Sequence, residues 1–513
     1  TSTSQWAIYF SRPTTDAQWV YFQHRGSKAF DANATIRFGD TNGDGKLDML
    51  TADGSTWTEY TNRQGIKEYV ISTFTNGHGV ATNVTYKPMT DASVYVFQAS
   101  DSDINSDTFS PMSGMQLVSR VTTDSNTNSS VAVTYQYGGM LIHKKGRGSL
   151  GFQMLRTTDE QTNVITETQY SQTFSGNSFA SARMPLSTIQ HLNGNLLSSA
   201  VNELSVMTTA QGGLFPYVSK ATEKSYVYGS DGVSTQVSET VTNSNYDTWG
   251  NLTNSTVTIT DVATQKNMTT TTTNAFGNTT EQQYGRLQST TVQKSRTGQA
   301  TSTRKSAFSY NSDRMLQTSV VSPNSTATKL TTQYTYDIYG NKTSVSVTGF
   351  VTATGSNQTR TTTSEYDSRG RYLKYKQNAL GERVTYQYNG TPPDSVTGVI
   401  TSTTETGPNG LSTITSLDAF GQATHIDHPD SKATSITKEY GSFSVTGAHY
   451  RVKKTVTASP EKQVLYDKWG REIAARVQGF DGAWVTSTTS YDSQGRQSSV
   501  SEPNSSMHFT TFS

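Results

Sequence analysis

The sequence contains no cysteine, so no disulfide framework holds the fold, which neither demands nor excludes an extracellular location. It also has no apolar run approaching the roughly 20 residues of a membrane-spanning helix, so no membrane span is predicted. Neither charge sign dominates, since 41 Lys and Arg residues stand against 40 Asp and Glu residues. Without a basic run or a basic and aromatic patch, the sequence indicates neither a nucleic acid nor an anionic membrane as a partner.

Hydrophobic residues are scarce as well, at 32% of 513 residues. This fraction is low for a set of compact domains. A single-layer sheet around a wet cavity needs less Leu and Ile, because it has two broad surfaces and no thick interior. The 27 tyrosines, the abundant threonines and the lack of long helical periodicity predict an all-β fold. Disorder is the alternative for a chain rich in Thr and Ser, and the 10% aromatic content argues against it.

A Tyr-Asp-x-x-Gly repeat organises the second half of the chain. The Asp is suited to accept hydrogen bonds from the backbone amides ahead of it, and the Gly supplies the positive φ that closes a turn. The Tyr ends an alternating strand, so each copy predicts a β-hairpin. The five copies have their Tyr, Asp and Gly at Tyr246, Asp247 and Gly250, at Tyr336, Asp337 and Gly340, at Tyr366, Asp367 and Gly370, at Tyr466, Asp467 and Gly470, and at Tyr491, Asp492 and Gly495.

Three further stretches are weaker copies of the same repeat. Asp418-Ala419-Phe420-Gly421 lacks the Tyr, and the other two are Asn274-Ala275-Phe276-Gly277 and Tyr310-Asn311-Ser312-Asp313. Copies lie about 25 to 30 residues apart where the spacing is clean, which predicts hairpins stacked in an array. Residues 241–513 are therefore expected to form an antiparallel strip whose tyrosines lie in register near the hairpin ends.

An acidic loop near the start of the chain predicts a calcium site. Oxygen ligands alternate in it, a Gly permits the sharp bend, and one backbone carbonyl would face the ion. The proposed ligands are Asp40, Asn42, Asp44, the carbonyl of Lys46, and Asp48. The position at which an EF-hand carries Glu is Thr51 here, so the loop instead resembles the FG-GAP/VCBS loop of β-propeller blades. The alternative is a ligand-free turn held by its own hydrogen bonds.

The repeat resembles the YD repeats of RHS proteins, in which tyrosines stack along a strip of hairpins that spirals into a hollow shell. The stretches Asn76-Gly77-His78-Gly79 and Gly146-Arg147-Gly148-Ser149-Leu150-Gly151-Phe152 resemble the segment that joins propeller and strip in SpvB-like and TcB/TcC-type toxin-complex subunits. These likenesses imply three regions: a partial propeller blade (1–70), a linking region (71–240) and a YD strip (241–513). One blade cannot close a propeller, so further chain is expected before Thr1.

No catalytic centre is predicted. The chain has no Cys nucleophile, no GxSxG elbow and no paired acids in a recognisable setting. The glycines of 146–151 match a dinucleotide fingerprint, but no helix is predicted after them, so tight turning is favoured. His425, Asp427, His428 and Asp430 would suit a transition metal. Strand alternation sends the two histidines to opposite faces, which favours a solvated turn.

The leading hypothesis is a non-catalytic structural fragment of an RHS-type toxin shell, secreted or at the cell surface. In the complete parent that the resemblance implies, the shell would encapsulate a C-terminal effector, with a delivery subunit as a further partner. RHS shells that process themselves carry a C-terminal aspartate protease segment, and none is seen before Ser513. The alternative is an exported adhesin or glycan-binding protein, because tyrosine ladders can also stack sugars.

Overall fold

The computed structural model describes residues 3–13, 20–31, 35–53, 55–61, 70–97, 107–111, 113–124, 130–173, 179–229, 232–277, 285–390, 399–492, 495–504 and 509–512. Within these ranges the chain forms strands and no helix, which confirms the predicted all-β fold class. Correspondingly, the described ranges contain no helix long and apolar enough to cross a membrane.

Thirteen strands precede residue 152, and several belong to small separate sheets. Strands β1 and β2 pair with each other, β3, β4 and β5 form a second sheet, and β9, β12 and β13 form a third. The strands are β1 (Thr3–Pro13), β2 (Val20–Asp31), β3 (Thr35–Gly39), β4 (Asp48–Asp53), β5 (Thr56–Tyr60), β6 (Thr73–Thr75), β7 (Ala81–Pro88), β8 (Tyr95–Val96), β9 (Thr108–Phe109), β10 (Gln116–Asp124), β11 (Ser130–Gly138), β12 (Leu141–His143) and β13 (Gly148–Gly151).

The strands after residue 153 follow one another in a single antiparallel meander, here called the strip. They are β14 (Met154–Asp159), β15 (Val164–Tyr170), β16 (Pro185–Leu192), β17 (Asn195–Thr208), β18 (Leu214–Tyr228), β19 (Ser234–Tyr246), β20 (Leu252–Asp261), β21 (Asn267–Phe276), β22 (Leu287–Arg296), β23 (Ser302–Tyr310), β24 (Leu316–Val321), β25 (Leu330–Tyr336), β26 (Lys342–Val351), β27 (Ser356–Tyr366), β28 (Leu373–Gln377), β29 (Arg383–Gly390), β30 (Ile400–Thr406), β31 (Ser412–Leu417), β32 (Ala423–Asp427), β33 (Ala433–Tyr440), β34 (Tyr450–Val456), β35 (Lys462–Tyr466), β36 (Glu472–Gln478), β37 (Trp484–Tyr491), β38 (Gln497–Ser501) and β39 (Phe509–Thr511). Each pairs with the next.

The chain divides into two compact units. The first comprises residues 1–73, 83–121 and 134–152, and it holds the main hydrophobic core. That core is built from five buried side chains: Met89, Val94, Tyr95, Leu117 and Met140. Three partly buried side chains, Tyr137, Ile142 and Phe152, pack against them. The backbone N–H of Met140 donates to the buried hydroxyl of Tyr95 (2.9 Å), so the aromatic ring and its polar tip are both satisfied.

The second unit comprises residues 74–82, 122–133 and 153–513, and its strip is a single layer. In the described part of the strip, strands contact their neighbours in the sheet and no second layer packs on them. Side chains on both faces are therefore mostly half-buried, and fully buried ones such as Leu465 and Ala474 are few. Cross-strand hydroxyl pairs such as Thr348 with Thr359 (2.7 Å) use the abundant threonines. This architecture accounts for the low hydrophobic content.

Candidate functional site: the Tyr-Asp turns and the acidic loop

The turn after Tyr336 shows the local chemistry of the repeat. The carboxylate Oδ1 of Asp337 accepts the backbone N–H groups of Tyr339 and Asn341, each at 2.9 Å. The Asp337 N–H donates to the Asn341 carbonyl, and the Gly340 N–H donates to the Asp337 carbonyl. With Gly340 at a φ of 88°, this is a type I turn closed by a left-handed residue, the common three-residue hairpin loop. The turn chemistry is therefore local, and the Asp and Gly supply it.

The other four copies use the same carboxylate-to-amide bonding. Their glycines all have positive φ, with values of 83°, 67°, 78° and 80° at Gly250, Gly370, Gly470 and Gly495. The Asp367 turn is one residue longer, because the Asp367 N–H donates to the carbonyl of Tyr372. The structure also shows the turn in the weak copy at Asn311, where Arg314 occupies the Gly position at a φ of 71°.

The residue after the Gly completes the turn, and the sequence analysis did not identify its role. Its side chain binds the second carboxylate oxygen, Oδ2, in four of the five copies. The donors are Asn251 to Asp247 (3.0 Å), Asn341 to Asp337 (3.0 Å), Arg471 to Asp467 (2.7 Å) and Arg496 to Asp492 (2.7 Å). The sequence does carry a signal for this role, because Asn or Arg directly follows each repeat Gly.

The hydrogen bonds set the protonation of two of these acids. Partial removal of Asp337 from water favours the neutral acid, but the Asn341 side chain and the turn amides outweigh it and lower the Asp337 pKa below its ordinary value of 3.8. The pKa of Asp367 is lowered in the same way, because backbone amides outweigh its desolvation. Both side chains are therefore carboxylates at neutral pH, and it is the charged form that the turn amides favour.

The tyrosines connect one hairpin to the next. Each of the five repeat tyrosines is the last residue of its strand, at the ends of β19, β25, β27, β35 and β37. The hydroxyls of several tyrosines at or near a strand end donate to a backbone carbonyl in the preceding hairpin. The bonds run from Tyr310 to Leu287 (2.9 Å), from Tyr336 to Leu316 (2.7 Å), from Tyr388 to Leu373 (3.1 Å) and from Tyr491 to Glu472 (2.8 Å).

These acceptors share one position in the strip. Each is the register partner of the aromatic residue that ends the preceding hairpin's first strand: Leu287 of Phe276, Leu316 of Tyr310, Leu373 of Tyr366 and Glu472 of Tyr466. At Leu252, the partner of Tyr246, the side-chain amide of Asn274 makes the equivalent bond at 2.9 Å. A tyrosine hydroxyl is protonated at neutral pH and can donate, and burial raises the pKa of Tyr336 further above its ordinary value of 10.0. The hydroxyls therefore bond neighbouring hairpins to one another.

Neighbouring turns also pack on one another through the repeat glycines. The ring of Tyr339 lies over Gly370, so a Cβ added there would be 2.6 Å from the ring carbon Cγ. The Tyr339 hydroxyl donates to the Ser368 carbonyl at 2.8 Å, and the Asn341 amide donates to the Gly370 carbonyl at 2.7 Å. Gly370 is thus required twice, for its positive φ and for the close approach of Tyr339.

The acidic loop is curled by its own hydrogen bonds. The two carboxylate oxygens of Asp40 accept the amides of Asp44 (3.0 Å) and Gly45 (2.9 Å). The side-chain oxygen of Asn42 also accepts the Asp44 amide, and Asp44 accepts the Lys46 amide. This is the bonding described above for the ligand-free alternative. Among the described residues no group of three or more His, Cys, Asp or Glu side chains converges as a metal site.

The fifth predicted calcium ligand is already hydrogen-bonded within the loop, to Thr41. Asp48 begins β4, is 1% exposed, and accepts the Thr41 amide (3.0 Å) and hydroxyl (2.7 Å). The Lys46 ammonium lies 3.3 Å from an Asp44 carboxylate oxygen, so a bound cation would compete with it. Nevertheless, Asp40, Asn42 and Asp44 share one bend, and the donor set is the oxygen-only set that calcium prefers.

The acidic loop also packs on other parts of the first compact unit. The Thr90 hydroxyl donates to the Gly43 carbonyl, and the Gln116 side-chain amide donates to the Asp44 carbonyl at 3.1 Å. Gly45 packs against the backbone of Gly114, and an added Cβ would have no room there. The loop is therefore packed against Thr90, Gly114 and Gln116, and it is also a candidate ion site.

The two histidines near Gly421 lie on opposite faces, as strand alternation predicted. His425 contacts the Ser435 hydroxyl (3.1 Å) and the Asp427 carboxylate (3.1 Å). His428 contacts the hydroxyl of Thr434, the neighbour of Ser435 on β33, at 2.9 Å. Asp430 pairs with Lys432 at 3.0 Å, beside a shallow depression of about 440 Å³. The four side chains therefore do not converge on one point.

Known proteins resemble the chain in two ways. The family model of the insecticide toxin TcdB middle/N-terminal region matches residues 23–176. The crystal structure of TcdB2-TccC3 without its hypervariable C-terminal region has a similar fold over 99% of this chain, with a TM-score of 0.63 and 10% identity. TcdB2-TccC3-TEV matches 94% of this chain at a TM-score of 0.61 and 10% identity, and TcdB2-TccC3 matches 98% at 0.59 and 11%.

The matched chains are much longer than this one. The chain covers 36%, 36% and 35% of their respective lengths. A search of curated proteins with the sequence finds no match. At such low identity the structural likeness establishes the fold alone. The chain is thus a β meander of the kind found in toxin-complex structures, and its residues 23–176 are similar to the middle/N-terminal region of TcdB.

Proposed function

We propose that the chain is a non-catalytic wall segment of a toxin-complex shell, and that the complete shell encloses an effector. The single-layer strip of consecutive antiparallel strands is the observation that carries this proposal. A sheet without a second layer leaves both faces open to solvent or to other chains. Such a sheet builds a wall, since a compact enzyme domain needs a thick core around its site.

Three features support a wall rather than a scaffold for chemistry. The Tyr hydroxyls, the turn carboxylates and the turn-on-turn packing all act within the sheet. Similarity of fold to TcdB2-TccC3 agrees with this role. We propose an effector-bearing subunit and the remainder of the shell as partners, and a secreted or cell-surface location. The YD-repeat identity of the Tyr-Asp-x-x-Gly copies is part of the same proposal.

We further propose that the acidic loop of an FG-GAP/VCBS-type blade binds calcium. Asp40, Asn42 and Asp44 would supply side-chain oxygens, Lys46 its carbonyl, and Asp48 the remaining carboxylate. The ion would neutralise charge that the loop now balances with N–H donors and the Lys46 ammonium. Bound calcium would stabilise the loop and the hydrogen bonds that Thr90 and Gln116 donate to it.

Co-expression with an effector-bearing subunit of the TccC3 type tests the shell function. We expect the two chains to co-purify and the effector to resist added protease, while the same effector made alone is degraded. An effector that is cleaved equally fast with and without this chain would contradict enclosure. Binding of the chain to immobilised glycans, with no association between the two chains, would instead favour an adhesin.

A further inference from the structure

A turn near the start of the chain has the same geometry as the Tyr-Asp turns. The Asn76 side-chain oxygen accepts the amides of His78 (2.9 Å) and Val80 (3.0 Å). The Asn76 N–H donates to the Val80 carbonyl, and the N–H of Gly79, at a φ of 77°, donates to the Asn76 carbonyl. His78 therefore occupies the position that Tyr339 has in its own turn. Tyr339 uses that position to pack on the neighbouring turn.

His78 packs instead against strands that are remote in sequence. Its ring stacks on Tyr450 (centroids 5.5 Å apart, planes 26° apart) and lies 5.9 Å from Tyr440 and 5.7 Å from His449. Tyr450 in turn stacks on the repeat tyrosine Tyr466 at 4.8 Å. The imidazole thus extends the stack of a Tyr-Asp repeat. We call the three rings that contact His78, together with Tyr466 behind Tyr450, the aromatic socket: Tyr440, His449, Tyr450 and Tyr466.

The contact is held by ring packing. The buried Nδ1 of His78 has no hydrogen-bond partner among the described residues. On the socket side, Tyr440 and Tyr450 are register partners that close the β33–β34 hairpin, and the Lys438 ammonium lies 4.6 Å from the Tyr450 ring centre. Among the described residues the imidazole makes no hydrogen bond, so separation of His78 from the socket breaks ring contacts and leaves the β33–β34 ladder paired.

We propose that His78 is a releasable clasp, which ties the Asn76–Val80 turn to strands β33–β35 through the aromatic socket. Docked, the ring holds the ends of the Gly441–His449 loop, whose closing bonds run from Gly441 N–H to the His449 carbonyl and from His449 N–H to the Tyr466 carbonyl (2.7 Å). Released, it frees this loop to open while the neighbouring strands stay paired. The clasp is thus a local opening unit of the strip.

Hydrogen exchange on the full chain tests the clasp. In His78→Ala, the amides of Gly441 and His449 should exchange about two- to tenfold faster, because the aromatic contacts that hold the loop ends are lost. His78→Phe keeps a ring and should stay close to the wild type. Leu380→Ala is the matched control, because Leu380 has the same turn position but is 83% exposed.

Free imidazole gives a second readout. Added to His78→Ala, it should occupy the vacated socket and slow exchange at Gly441 and His449, and it should have no such effect when Tyr450→Ala is also present. Exchange at 441–449 that is equal in His78→Ala and the wild type would overturn the proposal. Faster exchange that imidazole does not reverse would overturn it too, since the ring itself would then not hold the socket.

Discussion

At the scale of single residues, the left-handed turn position decides stability. Arg314 adopts a φ of 71° in the weak repeat copy, with its side chain exposed. A non-Gly residue in this region of φ carries a cost of order 1 kcal/mol or more. Arg314→Gly should therefore stabilise the hairpin by about 1 kcal/mol. Slower exchange of the amides at positions 314 and 315 in this variant would show the gain in stability. Arg314→Ala, which keeps the Cβ, should bring no comparable gain.

Gly370 and Gly421 separate two reasons for glycine. Both have positive φ, of 67° and 76°, but only Gly370 lies under a side chain, that of Tyr339, while the space at Gly421 is open. Gly421→Ala should cost about 1 kcal/mol, and Gly370→Ala roughly 1 to 3 kcal/mol more, because the Tyr339 ring must move. Local hydrogen exchange measures both.

The double variant Gly370→Ala with Tyr339→Ala provides the control for that comparison. Removal of the ring should bring the cost of Gly370→Ala down to that of Gly421→Ala. Equal costs for the two single substitutions would contradict the turn-on-turn packing that the structure shows.

At the scale of elements, the turn carboxylates make the hairpins sensitive to acid. The pKa of Asp337 and of Asp367 is lowered in the folded state, so their contribution is fully present above the ordinary value of 3.8. As pH falls through that value towards the lower folded pKa, the folded state resists protonation that the unfolded state accepts, and stability is lost. Exchange of the Tyr339 and Asn341 amides, corrected for intrinsic rates, should accelerate from pH 5 down to pH 3.

Asp337→Asn is the matched variant for the acid experiment. Asn311 and Asn378 hold the same turn with a side-chain amide oxygen, for example towards the Met315 amide at 2.9 Å. The Asn variant should therefore keep the turn but lose its pH dependence between pH 5 and pH 3. A variant that still responds to acid as the wild type does would place the dependence elsewhere.

The acidic loop is the second element with a defined test. Asp40, Asp44 and Asp48 bring three negative charges into one short segment, and a bound cation would relieve their repulsion. Calcium should raise the stability of the first compact unit by about 2.7 kcal/mol at a hundredfold excess over Kd. Asp44→Ala should abolish this response and leave exchange in the strip unaltered. Unfolding of the wild type that is identical with calcium and with chelator would contradict the proposed site.

At the scale of the whole molecule, the strip behaves as a one-dimensional array. In the part that the structure describes, its strands contact other strands only as sheet neighbours, and His78 adds a contact at the aromatic socket, so stability is close to a sum of hairpins and their interfaces. Gly370→Val should therefore loosen β25 to β29, with exchange that returns to wild-type rates by β18 and β37. Uniform acceleration along all strands would indicate a single cooperative unit instead.

The sequence by itself determined the all-β class and the sites of the hairpin turns. Both are local consequences: Asp and Gly make a turn without help from distant residues, and a Tyr before the Asp ends a strand. The low hydrophobic content likewise predicted a thin sheet, because a chain with 32% hydrophobic residues cannot fill several thick cores.

Only the tertiary structure decided which residues meet across hairpins. The Tyr336 hydroxyl reaches Leu316, Tyr339 covers Gly370, and His78 enters the socket beside Tyr450. Such contacts depend on strand register and on the approach of segments far apart in sequence, which periodicity does not encode. The residue after each repeat Gly lies between the two cases, since its recurrence is visible in the sequence but its bond to Oδ2 needs the folded turn to bring the two side chains together.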